Sequence, residues 1–380
     1  MFLYLFIILM IIIIFSKKKK FEQIYKLKDI KKMIDRDLSY NERDKDITNM
    51  PDFLKKKLIP ELRHPRNVLF LDILWSLGLF IGFFFIILYK VKKNKTVSII
   101  FSIVYLVFLY KHYCARFILL LHFGTHRSIM KEDSIYKNRI KLFMDFFSMF
   151  FGIPYGIYEL HHRKMHHVED NGPEDLSSTA LYDRSKKSSF LFYWLKHLFY
   201  TISFGLIRFG IKKKLYENII YSLIGYFVYY KTIIYLKDII PVFYIFILPF
   251  LITSFALMLG NYGQHIFIDP KDPQNDMLLT YNIIGGDYNQ LVHNDGYHVM
   301  HHLNPGTPWS ELPNEFLKSM KKLRDVDAIT FHSLSFFDIS TAVLTNNFDK
   351  LCNHYVSLNG KKRSCSDIKK LLKKRLNKIY

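Results

Sequence analysis

The sequence predicts an all-α integral membrane protein with about four transmembrane helices, an expectation carried by three observations. Apolar residues make up 50% of the 380-residue chain and aromatic residues 17%. Long uncharged runs recur along it, and histidines gather where those runs end.

The opening run MFLYLFIILMIIIIF, residues 1–15, is followed at once by Ser16 and Lys17 to Lys20. A cleaved secretory signal carries charge before its apolar part and small residues after it, and this run does neither. It reads as an N-terminal hydrophobic anchor leading into a basic cytosolic region, residues 16–66. An organelle leader is the rival, opposed by nine acidic residues between positions 17 and 66. The stretch Asn67 to Tyr89 holds 23 residues with one acid, Asp72. At roughly 1.5 Å per residue it covers the 30 Å hydrocarbon core. Thr96 to Leu121, Glu217 to Leu236 and Ile240 to Leu259 repeat the pattern. Ile140 to Tyr158 contains Asp145, Gly152 and Pro154, and Phe190 to Gly210 contains Lys196, His197 and Arg208. These two read as interfacial or partly buried helices. The membrane domain is thus expected over residues 67–312, with a cytosolic C-terminal region over 313–380. There DIKKLLKKRLNKIY aligns Ile368, Leu371, Leu372 and Leu376 on one face, a basic amphipathic helix expected to rest on an anionic membrane surface.

The net charge of +21 lies mostly outside the apolar runs. No basic stripe with interleaved stacking aromatics accompanies it, which argues against nucleic-acid binding. Cys114, Cys352 and Cys365 have no CxxC spacing and one sits in a membrane run, so neither a disulfide framework nor a thiolate cluster is expected.

Nine of the sixteen histidines fall in four groups. These are His122 and His126 in HFGTH, His162, His166 and His167 in HRKMHH, His265 in NYGQH, and His298, His301 and His302 in HVMHH. Residues four apart share a helical face, so His122 with His126 and His162 with His166 are expected to project together. Imidazole suits iron, zinc and copper, and nine of them exceed one tetrahedral site. An even number of crossings separates successive groups, which brings all nine to one side of the bilayer. Most basic loops fall on that side, as cytosolic loops should, with KVKKNK at residues 90–95 the counterexample. His64, His112, His197, His332 and His354 are isolated and read as surface or packing residues.

With these groups in view, the chain resembles the membrane fatty acid desaturases and their hydroxylase relatives, marked by HxxxH, HxxxHH and HxxHH boxes. The resemblance covers residues 68 to 312. Asn261 and His265 in NYGQH, and the segment DGYHVMHHLNP, are similar to the acyl-CoA branch; the first box departs, with three intervening residues where that branch has four. The resemblance implies a cytosolic helical cap over four membrane helices. Two irons would be bound there by the nine histidines, with Asn261 acting through a water. It also implies O2 as co-substrate, a membrane lipid or acyl-CoA as substrate, and double-bond insertion into a long acyl chain in the endoplasmic reticulum or another organelle membrane. A hydroxylase on the same scaffold is the alternative, and a metal transporter a remote one, since a transporter places ionisable groups mid-span. No haem-binding signature follows His64 and Pro65, so electrons are expected from a separate cytochrome b5 or ferredoxin type donor.

Beyond the ligands, the acidic run Glu169, Asp170, Glu174 and Asp175 either orients ligand imidazoles or caps a solvated turn. Asp170 and Glu174, with His161 and His293, are the expected neighbours of the metal ligands; Asp295 and Gln290 are weaker candidates for the same role.

Overall fold

The computed structural model describes residues 22–43, 49–236 and 242–380. The anchor expected at residues 1–15 lies outside them. Among the described residues, four helices are long and apolar enough to cross a membrane: Pro65–Val91, Lys95–His126, Tyr216–Leu236 and Phe243–Gln264. Leu79, Phe83 and Ile86 of the first, Ile100, Val104 and Phe108 of the second, and Ile220, Ile224 and Phe227 of the third face outward, as lipid-facing positions do. Inward, Phe84 stacks on Tyr105 with ring centroids 3.9 Å apart, joining the first two spans. Asn94 accepts from the Val97 amide at 3.1 Å and starts the second span. That span has 32 residues, about 48 Å of helix, so its final turns emerge from the hydrocarbon and carry His122 and His126.

The two interrupted segments do not cross as straight helices. Lys137–Ser148 is helical and exposes Leu142, Phe143 and Phe146, while its acid is paired: Lys141 reaches Asp145 at 2.9 Å and Glu159 at 3.2 Å. Gly152 then turns the chain at φ +74°, where a Cβ would lie 2.2 Å from the Phe250 Cα. Lys187–Ile202 and Gly205–Lys212 meet at 75°.

Above the spans sits a cap that is not purely helical. Strands Asn282–Ile284 and Thr330–His332 pair in parallel, Asn282 opposite Thr330. The N-terminal helix Leu27–Arg43 packs on Leu312–Asp325. Its fully buried Asp37 accepts from the Gly285 amide at 2.8 Å, Asn289 at 3.0 Å and the Tyr297 hydroxyl at 2.7 Å. The segment expected as a basic lead-in therefore braces the residue before His298.

Two expectations are corrected in the C-terminal region. Ile368, Leu372 and Leu376 are buried among Phe348, Leu351 and Ile339, so the amphipathic stripe is covered by protein rather than by membrane. A periodic apolar face specifies burial but not what buries it. Cys352 and Cys365 form a disulfide, with Cα atoms 5.4 Å apart, that ties helix Phe348–Asn353 to Cys365–Lys374. Their 13-residue separation matches no motif, and only the packing of the two helices aligns the sulfurs. The fully buried Arg184 guanidinium fastens the tail by donating to the carbonyls of Arg375 and Asn377 on one side and Ile266 and Thr179 on the other.

Candidate metal centre

The four histidine groups meet where the second and fourth spans enter the cap. His122 and His126 leave the last turns of the second span, one helical turn apart, with ring centroids 5.8 Å apart. Residues His162–His166 form a π-helical turn, which adds a residue per turn and is frequent at functional sites. It separates the histidines differently from the expected pattern. His162 and His167, five apart, converge at 4.6 Å between centroids, while His166 points elsewhere and lies 5.9 Å from His162. His265 follows the last turn of the fourth span. Gly263 permits this because its missing Cβ would lie 2.4 Å from the Ser340 Oγ and 2.7 Å from the Phe336 carbonyl. His298, His301 and His302 come from the short helix His298–Leu303.

Two sets of nitrogens result. His122, His126, His162, His167 and His301 offer atoms within 4.8 Å of one another, and so do His166, His265 and His302. Within the first, His122 Nε2 lies 2.7 Å and His167 Nε2 3.1 Å from His301 Nε2; within the second, His166 Nε2 lies 3.1 Å from His265 Nε2. His298 stands beside both, its ring 4.9 Å from His302 and 5.5 Å from His301. Burial, reinforced by neighbouring imidazoles, pushes His162, His167, His265, His301 and His302 well below the ordinary histidine range. They are neutral and keep a lone pair. His126 Nε2, His162 Nε2, His298 Nε2 and both nitrogens of His302 are buried without a hydrogen-bond partner. Buried polar atoms left in that state are costly, and cations at the two foci would satisfy them. The donor set therefore fits a pair of transition-metal ions.

The orienting groups are specific. His166 Nδ1 donates to Asp175 Oδ2 at 2.7 Å, and His265 Nδ1 donates to the Leu279 carbonyl at 3.2 Å, leaving each Nε2 for the focus. Burial alone would raise Asp175, yet His166 and Ser177 hold its carboxyl below the usual range. Asp295 behaves alike: its Oδ1 approaches His298 Nδ1 to 3.5 Å, and Gln264 donates to Oδ2 at 2.9 Å. Asn261, on the last turn of the fourth span, donates through its amide to the Ser177 carbonyl at 3.1 Å and to the Tyr193 hydroxyl at 2.7 Å.

Other expected neighbours lie elsewhere. Glu174 is half exposed and paired with Lys212, and Glu169 is paired with Lys213, because that edge of the turn faces outward. His293 is wedged between Phe70 and Trp309, at 5.0 and 5.1 Å between centroids, and packs rather than orients. His161 faces His197 at 5.7 Å. Asp170 stays close, sharing with Asp276 and His302 a set of atoms within 4.8 Å of one another. Sequence reasoning missed Asp276, Gln264 and Asp37, which lie far along the chain from the boxes they touch, and the Leu279 carbonyl, which no side-chain pattern reports.

The fatty acid desaturase family model matches residues 96–333 of the chain. Comparison with curated proteins and with solved structures gave no match. The matched region contains all nine histidines of the four sequence groups and three of the four described spans, and with the match covering more than half of its length the chain belongs to the fatty acid desaturase family.

Proposed function

We propose that this protein is a di-iron oxidoreductase that introduces a double bond into a long-chain fatty acyl group, using O2 and electrons from a separate donor. The observation that carries the reading is the sorting of buried histidine nitrogens into two adjoining sets at the head of four membrane helices. Family membership supports it. Removing hydrogen from an unactivated methylene is beyond any side-chain acid or base, so bound irons would supply the oxygen-activating chemistry. His122, His126, His162, His167 and His301 would hold one ion; His166, His265, His298 and His302 would hold the other. Asn261 would reach the second through a water donating to its carbonyl oxygen, since its amide nitrogen is committed to Ser177 and Tyr193.

The rest of the work belongs to the chain. Neutral imidazoles bind the ions without first contributing charge, and Asp175 and Asp295 fix ring orientation one step further out. Which carbon reacts is then a matter of position, since only the methylene held beside the oxidant is touched. Acyl-CoA or a membrane lipid would serve as substrate, a cytochrome b5 or ferredoxin as donor, and the endoplasmic reticulum as the membrane, with the cap in the cytosol.

Detergent-purified protein should carry two irons per chain. A host lacking its own desaturase, expressing the protein with a matched donor and fed a deuterated saturated fatty acid, should yield lipids that have lost two deuteriums. Gain of one oxygen would mark a hydroxylase instead, and stoichiometric zinc after growth in ample iron would overturn the oxygen-activation reading.

A further inference from the structure

Hydrogen bonds lead from both sides of the Cys352–Cys365 disulfide to the histidine sets. On one side, Cys365 starts the helix Cys365–Lys374, which Arg375 ends. The Arg375 guanidinium pairs with Asp269 at 2.8 Å, and its carbonyl accepts from the Ile268 amide at 3.2 Å and from Arg184 at 3.1 Å. Arg184 donates in turn to the Ile266 carbonyl at 2.9 Å, one residue after His265.

On the other side lies the segment that the disulfide encloses. The His332 amide donates to the His354 carbonyl at 2.9 Å, and the Val356 amide donates to the Thr330 carbonyl at 2.8 Å, so this segment pairs with strand Thr330–His332. That strand pairs with Asn282–Ile284, and the Asn282 side chain accepts from the Val299 amide at 3.2 Å, beside His298. A cross-link restricts how far the chain it joins can open, so its loss loosens both routes.

The two sulfurs differ in access. Cys352 is 4% exposed and belongs to the apolar cluster of Phe348, Leu351 and Leu372, whereas Cys365 is half-buried between the exposed Ser364 and Ser366. Asp349 Oδ1 lies 3.7 Å from Cys365 Sγ, but Lys369 pairs with it at 2.8 Å. Lys361, Lys362 and Lys370 are exposed close by in sequence. An incoming thiolate therefore meets one reachable sulfur in basic surroundings. Disulfides persist in secreted compartments and are opened by thiol reductants in the cytosol, where the cap is proposed to lie.

We propose that Cys352 and Cys365 form a reversible redox site, at which a cytosolic dithiol opens the bond and loosens the support of His265 and His298. A thiolate of the reductant attacks Cys365 Sγ; the S–S bond breaks, and Cys352 leaves with the electron pair and takes up a proton. The second thiol of the reductant then closes its own disulfide and releases Cys365 as a thiol. Two electrons and two protons pass from the dithiol to the protein, and exchange with an oxidised disulfide runs the steps backward. The inference rests on the reading of the cap as cytosolic and of the histidines as metal ligands, but its main test needs no metal.

In acid-quenched cells, alkylation and mass spectrometry should find both forms of the pair, shifting to the disulfide under diamide and to the dithiol under dithiothreitol. A pair oxidised under every condition would make the bond a fixed staple and overturn the proposal. Full-length, metal-free protein in detergent should open at Cys352 and Cys365 under dithiothreitol while still folded, and amide hydrogen exchange of residues 265–269 and 298–300 should quicken about tenfold or more. Unchanged exchange there in the fully reduced protein would sink the coupling. The double variant Cys352→Ser, Cys365→Ser should exchange like the reduced protein and ignore dithiothreitol, while Cys114→Ser should respond as the parent does. Because reduced wild-type protein carries the test, a misfolded variant does not weaken it. Failure to load iron in either form would count against the di-iron reading alone, since the exchange measurement is made without metal.

Discussion

His166 Nδ1 and Asp175 Oδ2 lie 2.7 Å apart, both buried, and this contact aims the other nitrogen of His166 at His265. The carboxylate also accepts from the amide and hydroxyl of Ser177, so it has no freedom to follow a wandering imidazole. Asp175→Asn should lower iron affinity or turnover by about 10- to 100-fold with the protein still in the membrane. Metal content and activity measured together check this; a fully active, fully loaded variant would remove Asp175 from the site.

The π-helical turn assigns His162 and His167 to one nitrogen set and His166 to the other. His166→Ala should therefore cost the smaller set its ion, leaving about one iron per chain and no turnover. His112→Ala, exposed on the second span against Phe108, should leave turnover nearly unchanged. Iron counting on both variants tests the division. Loss of both ions from His166→Ala, with the fold intact, would mean that the two sets bind as one.

Asp37→Ala should strand the Gly285 amide, Asn289 and the Tyr297 hydroxyl in the interior, costing on the order of 3 kcal/mol. The carboxyl also sets a pH dependence. Burial pushes it above its ordinary value of 3.8, against the pull of its hydrogen bonds. A raised carboxyl pKa means that the folded state holds the proton more tightly. Its contribution is therefore fullest below 3.8 and declines as pH rises through the folded value. Asp37→Asn removes that dependence, so its melting temperature should gain on the parent as pH rises over this window. Parallel curves for the two proteins would contradict the sign.

Removing residues 375–380 should unseat Arg184, whose guanidinium donates to Arg375 and Asn377, and loosen Ile266 beside His265. The truncated protein is expected to lose thermal stability and the iron held by the smaller set. A helix merely resting on lipid would tolerate the cut. Thermal denaturation and iron content decide it, an unchanged melting temperature standing against the clamp.

By itself the sequence determined the spans, because twenty-odd apolar residues in a row have no stable place but the hydrocarbon, and periodicity reports that solvent directly. It also determined which histidines gather, since nine imidazoles at span ends on one side have few arrangements open to them. Tertiary structure decided how they divide. Local spacing assumes a regular helix, and the π-helical turn at His162–His166 moves the partner of His162 from His166 to His167. It likewise chose Asp175 over Glu174, because two acids one residue apart face opposite sides of a turn, one toward His166 and the other toward Lys212. The C-terminal stripe of Ile368, Leu372 and Leu376 was legible as a surface to be buried, but its cover was not. Amphipathicity measures how much apolar area must leave water, while the identity of what receives it depends on contacts distant in sequence.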